Sequence, residues 1–282
     1  YFIEYNGAYN GSERFSKEYR FAFFNSGAVG WALTEEPLFD DIAFLDLLKI
    51  RASYGEIGDD NLMRNGQPLR WLHMTQWEYR GNASLDLNQG NSPYTWFREQ
   101  AVGNPDVRWE TVRKFNAGID YAFMKGTFSG SVDFFRDKRF DIIVRGEDLA
   151  VPSYYGTTPP AANLGSVRAQ GFEIVLNITK SLGNDLRLWA NLNMTHSKNK
   201  ILNADDPALY DDYRKRAGYA INQHRAWVDA GFVNTYDEIY GTPQLNTNDN
   251  QKLPGDYYII DFNGDGIVDD SDRIPFGYSD TP

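Results

Sequence analysis

Asp261, Asn263, Asp265, Ile267, Asp269 and Asp272 stand at the first, third, fifth, seventh, ninth and twelfth places of one short run, with Gly266 at the sixth. A loop that wraps a calcium ion draws oxygen ligands from those places and needs glycine at the sixth for its sharp turn. Ile267 suits a place that offers only its backbone carbonyl. Asp272 stands where glutamate is usual, which shortens the bidentate reach. Carboxylates this close repel one another without a cation. The run therefore predicts a structural Ca2+ site. A metal-free, acidic turn is the other reading of the same residues. No helix pattern flanks the run, so it does not read as a calcium sensor.

A second set suits flat or apolar ligands. Between Arg70 and Phe97 lie Trp71, Trp77, Tyr79, Tyr94, Trp96 and Phe97, and a later loop carries Tyr154 and Tyr155 beside Pro159 and Pro160. Exposed rings of this kind stack on sugar faces or peptide side chains, so these residues are candidate contacts for a substrate or a covering partner. Packing of the loops against their neighbours accounts for the same rings. Catalysis finds less footing. His73, His196 and His224 have no paired-histidine metal spacing, and no nucleophile elbow or phosphate-binding loop occurs. With no cysteine in the chain, disulfides and thiolate chemistry are excluded. Carboxylates abound, but no particular pair stands out as a glycosidase pair. The chain reads as a non-enzyme.

The elements that must carry these loops are strands. Phe115, Ala117, Ile119, Tyr121 and Phe123 alternate with polar residues, a turn follows at Met124–Thr127, and Phe128, Gly130, Val132 and Phe134 alternate after it. Phe172 to Ile178 and Leu186 to Met194 repeat the pattern around a turn at Leu182–Asn184. Leu48 to Tyr54 adds a strand, and two weaker ones lie near Tyr1–Tyr9 and Tyr19–Thr34. Seven strands are expected, with an eighth near Ala226–Asn234. They run to about 12–16 residues, longer than the usual 5–6 of soluble sheets. Long connections at Glu56–Val107, Arg145–Gly165 and beyond Ser197 alternate with the two short turns. Short turns at one end and long loops at the other are what an outer-membrane barrel shows, with the long loops outside the cell. Spacing alone does not require a membrane, since a soluble sheet also alternates.

Composition agrees. Hydrophobic residues are 41%, aromatics 15%, and mean hydropathy is −0.55. No apolar run approaches the roughly 20 residues of a membrane helix, but a barrel strand exposes only alternate residues to lipid. Phe115, Ile119, Phe128, Val132, Phe172, Ile174, Leu186 and Leu188 are expected on the lipid face. Lys114, Asn116, Asp120, Ser131, Asp133, Glu173, Asn177, Arg187 and Asn191 are expected toward the lumen. Trp31, Trp109, Tyr121, Phe123, Phe128, Phe134 and Trp189 lie near strand ends, which fits an interfacial girdle and equally fits the ordinary preference of aromatics for strands. Net charge is −11, which removes a nucleic-acid footprint. Of this, fifteen acidic against six basic residues fall in 201–282. Seven strands leave two open edges, so the chain reads as an internal fragment of a longer protein.

Several stretches together resemble the SusC/RagA-type TonB-linked outer-membrane transporters. They are Asp46–Gly58, N-P-D-V-R-W-E-T at Asn104–Thr111, Phe115–Tyr121, G-S-V-D-F-F at Gly130–Phe135, Asn163–Val167, Gly171–Ile174, P-G-D at Pro254–Asp256 and Asp261–Arg273. Asn10-Gly11-Ser12 and Phe23-Phe24-Asn25-Ser26 depart from the family pattern, which has Asp and Pro in place of the two asparagines. The resemblance implies an all-β fold, a partial arc of a large antiparallel barrel of about 22 strands. It further implies a plug and a TonB-read segment outside this chain, a SusD-like lipoprotein lid, and a glycan or peptide substrate. A soluble carbohydrate-binding or adhesive protein and a passive porin or secretion channel remain as other readings.

Overall fold

The computed structural model describes residues 1–61, 63–64, 67–68, 70–82, 95–183, 185–245 and 252–277. The chain divides into two compact units, Tyr1–Asp205 and Asp206–Pro282.

The first unit is one seven-stranded antiparallel sheet in sequence order. Its strands are β1 (Phe2–Gly11), β2 (Phe21–Ala32), β3 (Leu45–Asp59), β4 (Glu110–Phe123), β5 (Phe128–Val144), β6 (Ala162–Leu182) and β7 (Leu186–Asn203). They are 10 to 21 residues long, a wider range than the alternation alone suggested. Each strand pairs with the next, as in a barrel wall. The connections 124–127 and 183–185 are short, and 60–109 and 145–161 are long. The rule has two exceptions. Connection 33–44, on the short-turn end, holds two 3-10 turns, whereas 12–20, on the long-loop end, is compact.

Register decides which side chains share a face, because residues directly opposite across a ladder point the same way. One row runs Trp31, Ile50, Ile119, Val132, Ile174, Met194 across six strands. The next runs Ile3, Val29, Ala52, Ala117, Phe134, Phe172, His196. The alternation set up by the sequence is thus kept in phase from strand to strand. A one-residue slip anywhere would have thrown an apolar strand onto the polar face.

The second unit is built of short pieces. Arg225–Ala226 pairs with Ile274–Pro275, Asp229–Phe232 with Tyr257–Ile259, and Gln244–Leu245 runs parallel to Ile267–Val268. The expected eighth strand near Ala226–Asn234 is therefore not part of the large sheet. Its apolar residues are shared between two small ladders, and Val233 is buried within the unit. A one-turn helix, Tyr236–Gly241, is capped by Thr235, whose hydroxyl accepts from the Glu238 N–H.

Candidate functional site

The two faces of the sheet differ in kind. On the apolar face, Ile119 and Val132 sit on central strands yet are 42% and 40% exposed. A water-soluble sheet buries such residues. A sheet lying against hydrocarbon does not need to. Phe115, Phe128, Phe172, Ile174, Leu186 and Leu188 share this face by register. At its short-turn end rings gather: Phe44 lies 6.2 Å from Phe123 and Tyr121 5.6 Å from Phe123. Tyr1 stacks on Trp31 at 5.8 Å, and the Trp31 indole N–H donates to Glu36. Two expected girdle members fall elsewhere. Trp109 is buried among loops at the other end, and Trp189 points from the polar face of β7, because it is one residue out of phase with Leu188 and Ala190.

The polar face carries paired charges. Arg51 of β3 reaches across two neighbours. Its Nε donates to Asp120 at 3.2 Å, Nη1 to Asn116 at 3.1 Å and Nη2 to Asp133 at 2.7 Å. Gly118 makes this possible, since a Cβ there would lie 2.5 Å from the Asp133 carboxylate and 3.0 Å from the guanidinium carbon. Asn116, Asp120 and Asp133 were expected on this face. Arg51 as their centre was not, because only the register brings β3 beside β4. Lys114, Ser131, Glu173, Asn177, Arg187 and Asn191 share the face.

At the long-loop end, the motifs at 104–111 and 163–167 meet. The Asn163 side chain accepts from the Arg108 N–H and donates to the Arg108 and Asp141 carbonyls. Asn104 donates to the Ala161 carbonyl at 2.8 Å. Phe15, Phe24, Val107 and Trp109 close a small buried core beside them. An asparagine side chain offers two donors and an acceptor, so Asn163 alone ties three backbone groups on two other segments.

The aromatic candidates are dispersed. Trp77 and Tyr79 lie on strand Gln76–Asn82, and Trp96 and Phe97 on its partner Thr95–Ala101. Tyr79 faces Phe97 at 5.6 Å, both exposed. Trp71, held at a positive φ of 61°, lines a cavity of about 400 Å3 with Gly11, Ser12, Glu13, Arg14 and Arg70. Tyr154 and Tyr155 project from the 3-10 turn Ser153–Tyr155 in the next long loop. Tyr94 lies outside the described residues.

In the second unit, the Asp261–Asp272 loop is knit by its own backbone. Asp261 accepts from the amides of Gly264, Asp265 and Gly266, and Gly266 has the positive φ (88°) that the sixth place requires. Asn263 and Asp265 each accept one backbone amide, Asp265 also accepts from the Asn263 side chain, and Asp269 accepts from the Ser271 N–H. Asp272 is fully buried and accepts from Phe262, Asn263 and Asp269. Among the described residues no group of three or more His, Asp or Glu is gathered as a metal-holding set. The donor chemistry, all hard oxygen, still fits calcium, although three of the roughly four lone-pair sites of Asp272 are taken by amides.

Fold and faces together define the class: a stretch of outer-membrane β-barrel wall with its loops developed at one end. The family model "TonB dependent receptor-like, beta-barrel" matches residues 3–267, and the chain belongs to that family. TonB-dependent receptor SusC of Bacteroides thetaiotaomicron is 26% identical over 97% of this chain and 26% of its own length. A TonB-dependent receptor of Formosa agariphila is 25% identical over 98% of this chain and 27% of its own length. The chain therefore spans about a quarter of the length of these curated relatives. The RagAB peptide importer in its closed-closed state superposes with a TM-score of 0.67 at 18% identity, covering 99% of this chain and 28% of that one, which shows the shared fold.

Proposed function

We propose that the chain is about a third of the wall of a TonB-coupled outer-membrane importer of oligosaccharides or peptides, and that it catalyses no reaction. A SusD-like surface lipoprotein covers the long loops, and TonB is engaged through a part of the protein outside this chain. The observation that carries this is the exposed apolar face, continuous in register over seven strands and backed by paired charges on the other face. A soluble sugar-binding protein would bury that apolar face. Trp71, Trp77, Tyr79, Trp96, Tyr154 and Tyr155 are the candidate contacts for substrate or lid. An epitope tag after Asn82 should be reached by antibody on intact cells, and one in the turn at Lys125 only after lysis. The reverse labelling would reject the orientation. Disrupting the gene should abolish energy-dependent uptake of the substrate, and unchanged uptake would reject import.

A Ca2+ ion in the second unit belongs to the same proposal. Asp261, Asn263, Asp265, Asp269, Asp272 and the Ile267 carbonyl would hold it as a structural ion. Millimolar calcium outside cells suffices for a weak site of this type. Limited proteolysis between residues 206 and 277 should slow in calcium relative to chelator, and Asp265→Ala should remove the difference. Equal cleavage with and without calcium would reject the site.

A further inference from the structure

The apolar face does not fade out at the long-loop end; it stops at a wall of positive charge. Beyond the row that holds Phe134 and Phe172, register gives Tyr54, Phe115, Arg136, Gln170, Lys198, and beyond that Glu56, Arg113, Lys138, Arg168, Lys200. Six cations thus occupy two adjacent rows on the lipid-facing side, against one carboxylate, in a chain whose net charge is −11. Glu56 pairs with Arg113 at 2.6 Å. Among the described residues, Arg136, Lys138, Arg168, Lys198 and Lys200 have no ion-pair partner. At similar height on the other face, Lys114 pairs with Asp137 and Arg139 with Glu110.

Lys138 stands directly opposite Arg168, and Arg168 directly opposite Lys200. Like charges facing each other across a ladder destabilise it. Such an arrangement is tolerable when an anion sits over it. Several features narrow the anion. The cations touch the edge of the apolar band, so their ligand carries its charge where it joins hydrocarbon. Strands that complete the wall pair with the open edges of β1 and β7 and leave this face uncovered. A second copy presenting the same rows would set cation against cation.

We infer that Arg136, Lys138, Arg168, Lys198 and Lys200 bind the phosphates of outer-leaflet lipid, clamping the barrel into the headgroup layer on the side of the long loops. The inference rests on the outer-membrane orientation proposed above. Arg forks on phosphate oxygens are strong, charge-assisted contacts, and each cation near an anionic surface contributes to binding.

The full-length protein, delipidated in mild detergent, is titrated with lipid A that carries its phosphates. Affinity should fall about fivefold for each cation removed in Lys138→Gln, Arg168→Gln and Lys200→Gln combined. Lys198→Gln with Lys200→Gln should give a smaller loss, and Arg139→Gln on the other face none. Heat-modifiable migration verifies the folded barrel in each variant. Wild-type affinity in the triple variant, or equal affinity for phosphatase-treated lipid A, would overturn the inference. Uptake is scored separately in intact cells. Binding without uptake would reject the importer and leave this inference standing. Uptake with lipid binding indifferent to the three cations would do the opposite.

Discussion

Two faces of one sheet handle the same residue types in opposite ways. Toward the lumen, Arg51 is tied to Asp120, Asn116 and Asp133, and Lys114 and Arg139 each have a carboxylate. Toward the lipid, the two central rows hold no Lys or Arg, and five of the six cations in the two rows at the long-loop edge have no ion-pair partner among the described residues. The difference follows from what lies opposite each face. A wet or protein-filled lumen leaves a wall charge to find its partner within the wall. A bilayer excludes charge from its core and supplies anions at its surface.

The strongest way to break this comparison is to move a charge into the band. Ile119→Arg, in the middle row, should lower the stability of the full-length barrel in vesicles by about 2–4 kcal/mol. Ser131→Arg, on the lumen face of the next strand, should cost about 0.5 kcal/mol or less. Similar losses in denaturant titrations would mean that the faces are misassigned.

Removing the centre of the lumen network is next in size. Arg51→Met leaves Asp133, whose side chain is 12% exposed, beside Asp120 without its cation. A loss of about 1–3 kcal/mol is expected. Adding Asp120→Asn and Asp133→Asn should recover part of it, because the two diagonal carboxylates are then replaced by neutral amides. If the triple variant is no more stable than Arg51→Met, charge pairing is not what Arg51 supplies.

The smallest effect is expected at Glu56 and Arg113, whose ion pair sits in the outer charged row. Arg113→Ala should cost under about 1 kcal/mol, and the difference should shrink in high salt. A larger, salt-insensitive loss would point to packing of the guanidinium over Phe140, 4.5 Å from the ring centroid.

Strands were legible because period-2 alternation is local: Phe115 to Phe123 announces its faces without reference to any other strand. What needed three dimensions is whatever depends on register. Nothing local places Arg51 beside Asp133, 82 residues on, or aligns Lys138 with Arg168 and Lys200. The even-numbered run Phe134, Arg136, Lys138 did carry a hint, since it shows an apolar face turning cationic on one strand. Aromatic type misled at Trp109 and Trp189. Position near a strand end does not say which face a ring occupies, and parity with Leu188 would have excluded Trp189. The stretch Ala226–Asn234 misled because two short ladders share enough apolar residues to imitate one strand. The acidic loop reads as a calcium-binding run; Gly266 has the positive φ that such a run needs, and the carboxylates are engaged with amides of the loop itself.

The very unequal connections also set a kinetic order. Pairing β4 with β5 closes only residues 124–127, and β6 with β7 only 183–185, whereas β3 meets β4 across residues 60–109. Closure entropy grows with the logarithm of loop length, which places the β3–β4 seam about 2 kcal/mol behind the hairpins. Arg51 lies on one side of that seam and all three of its partners on the other. The guanidinium is therefore a late fastener, reporting that two preformed blocks of wall have zipped in the right phase.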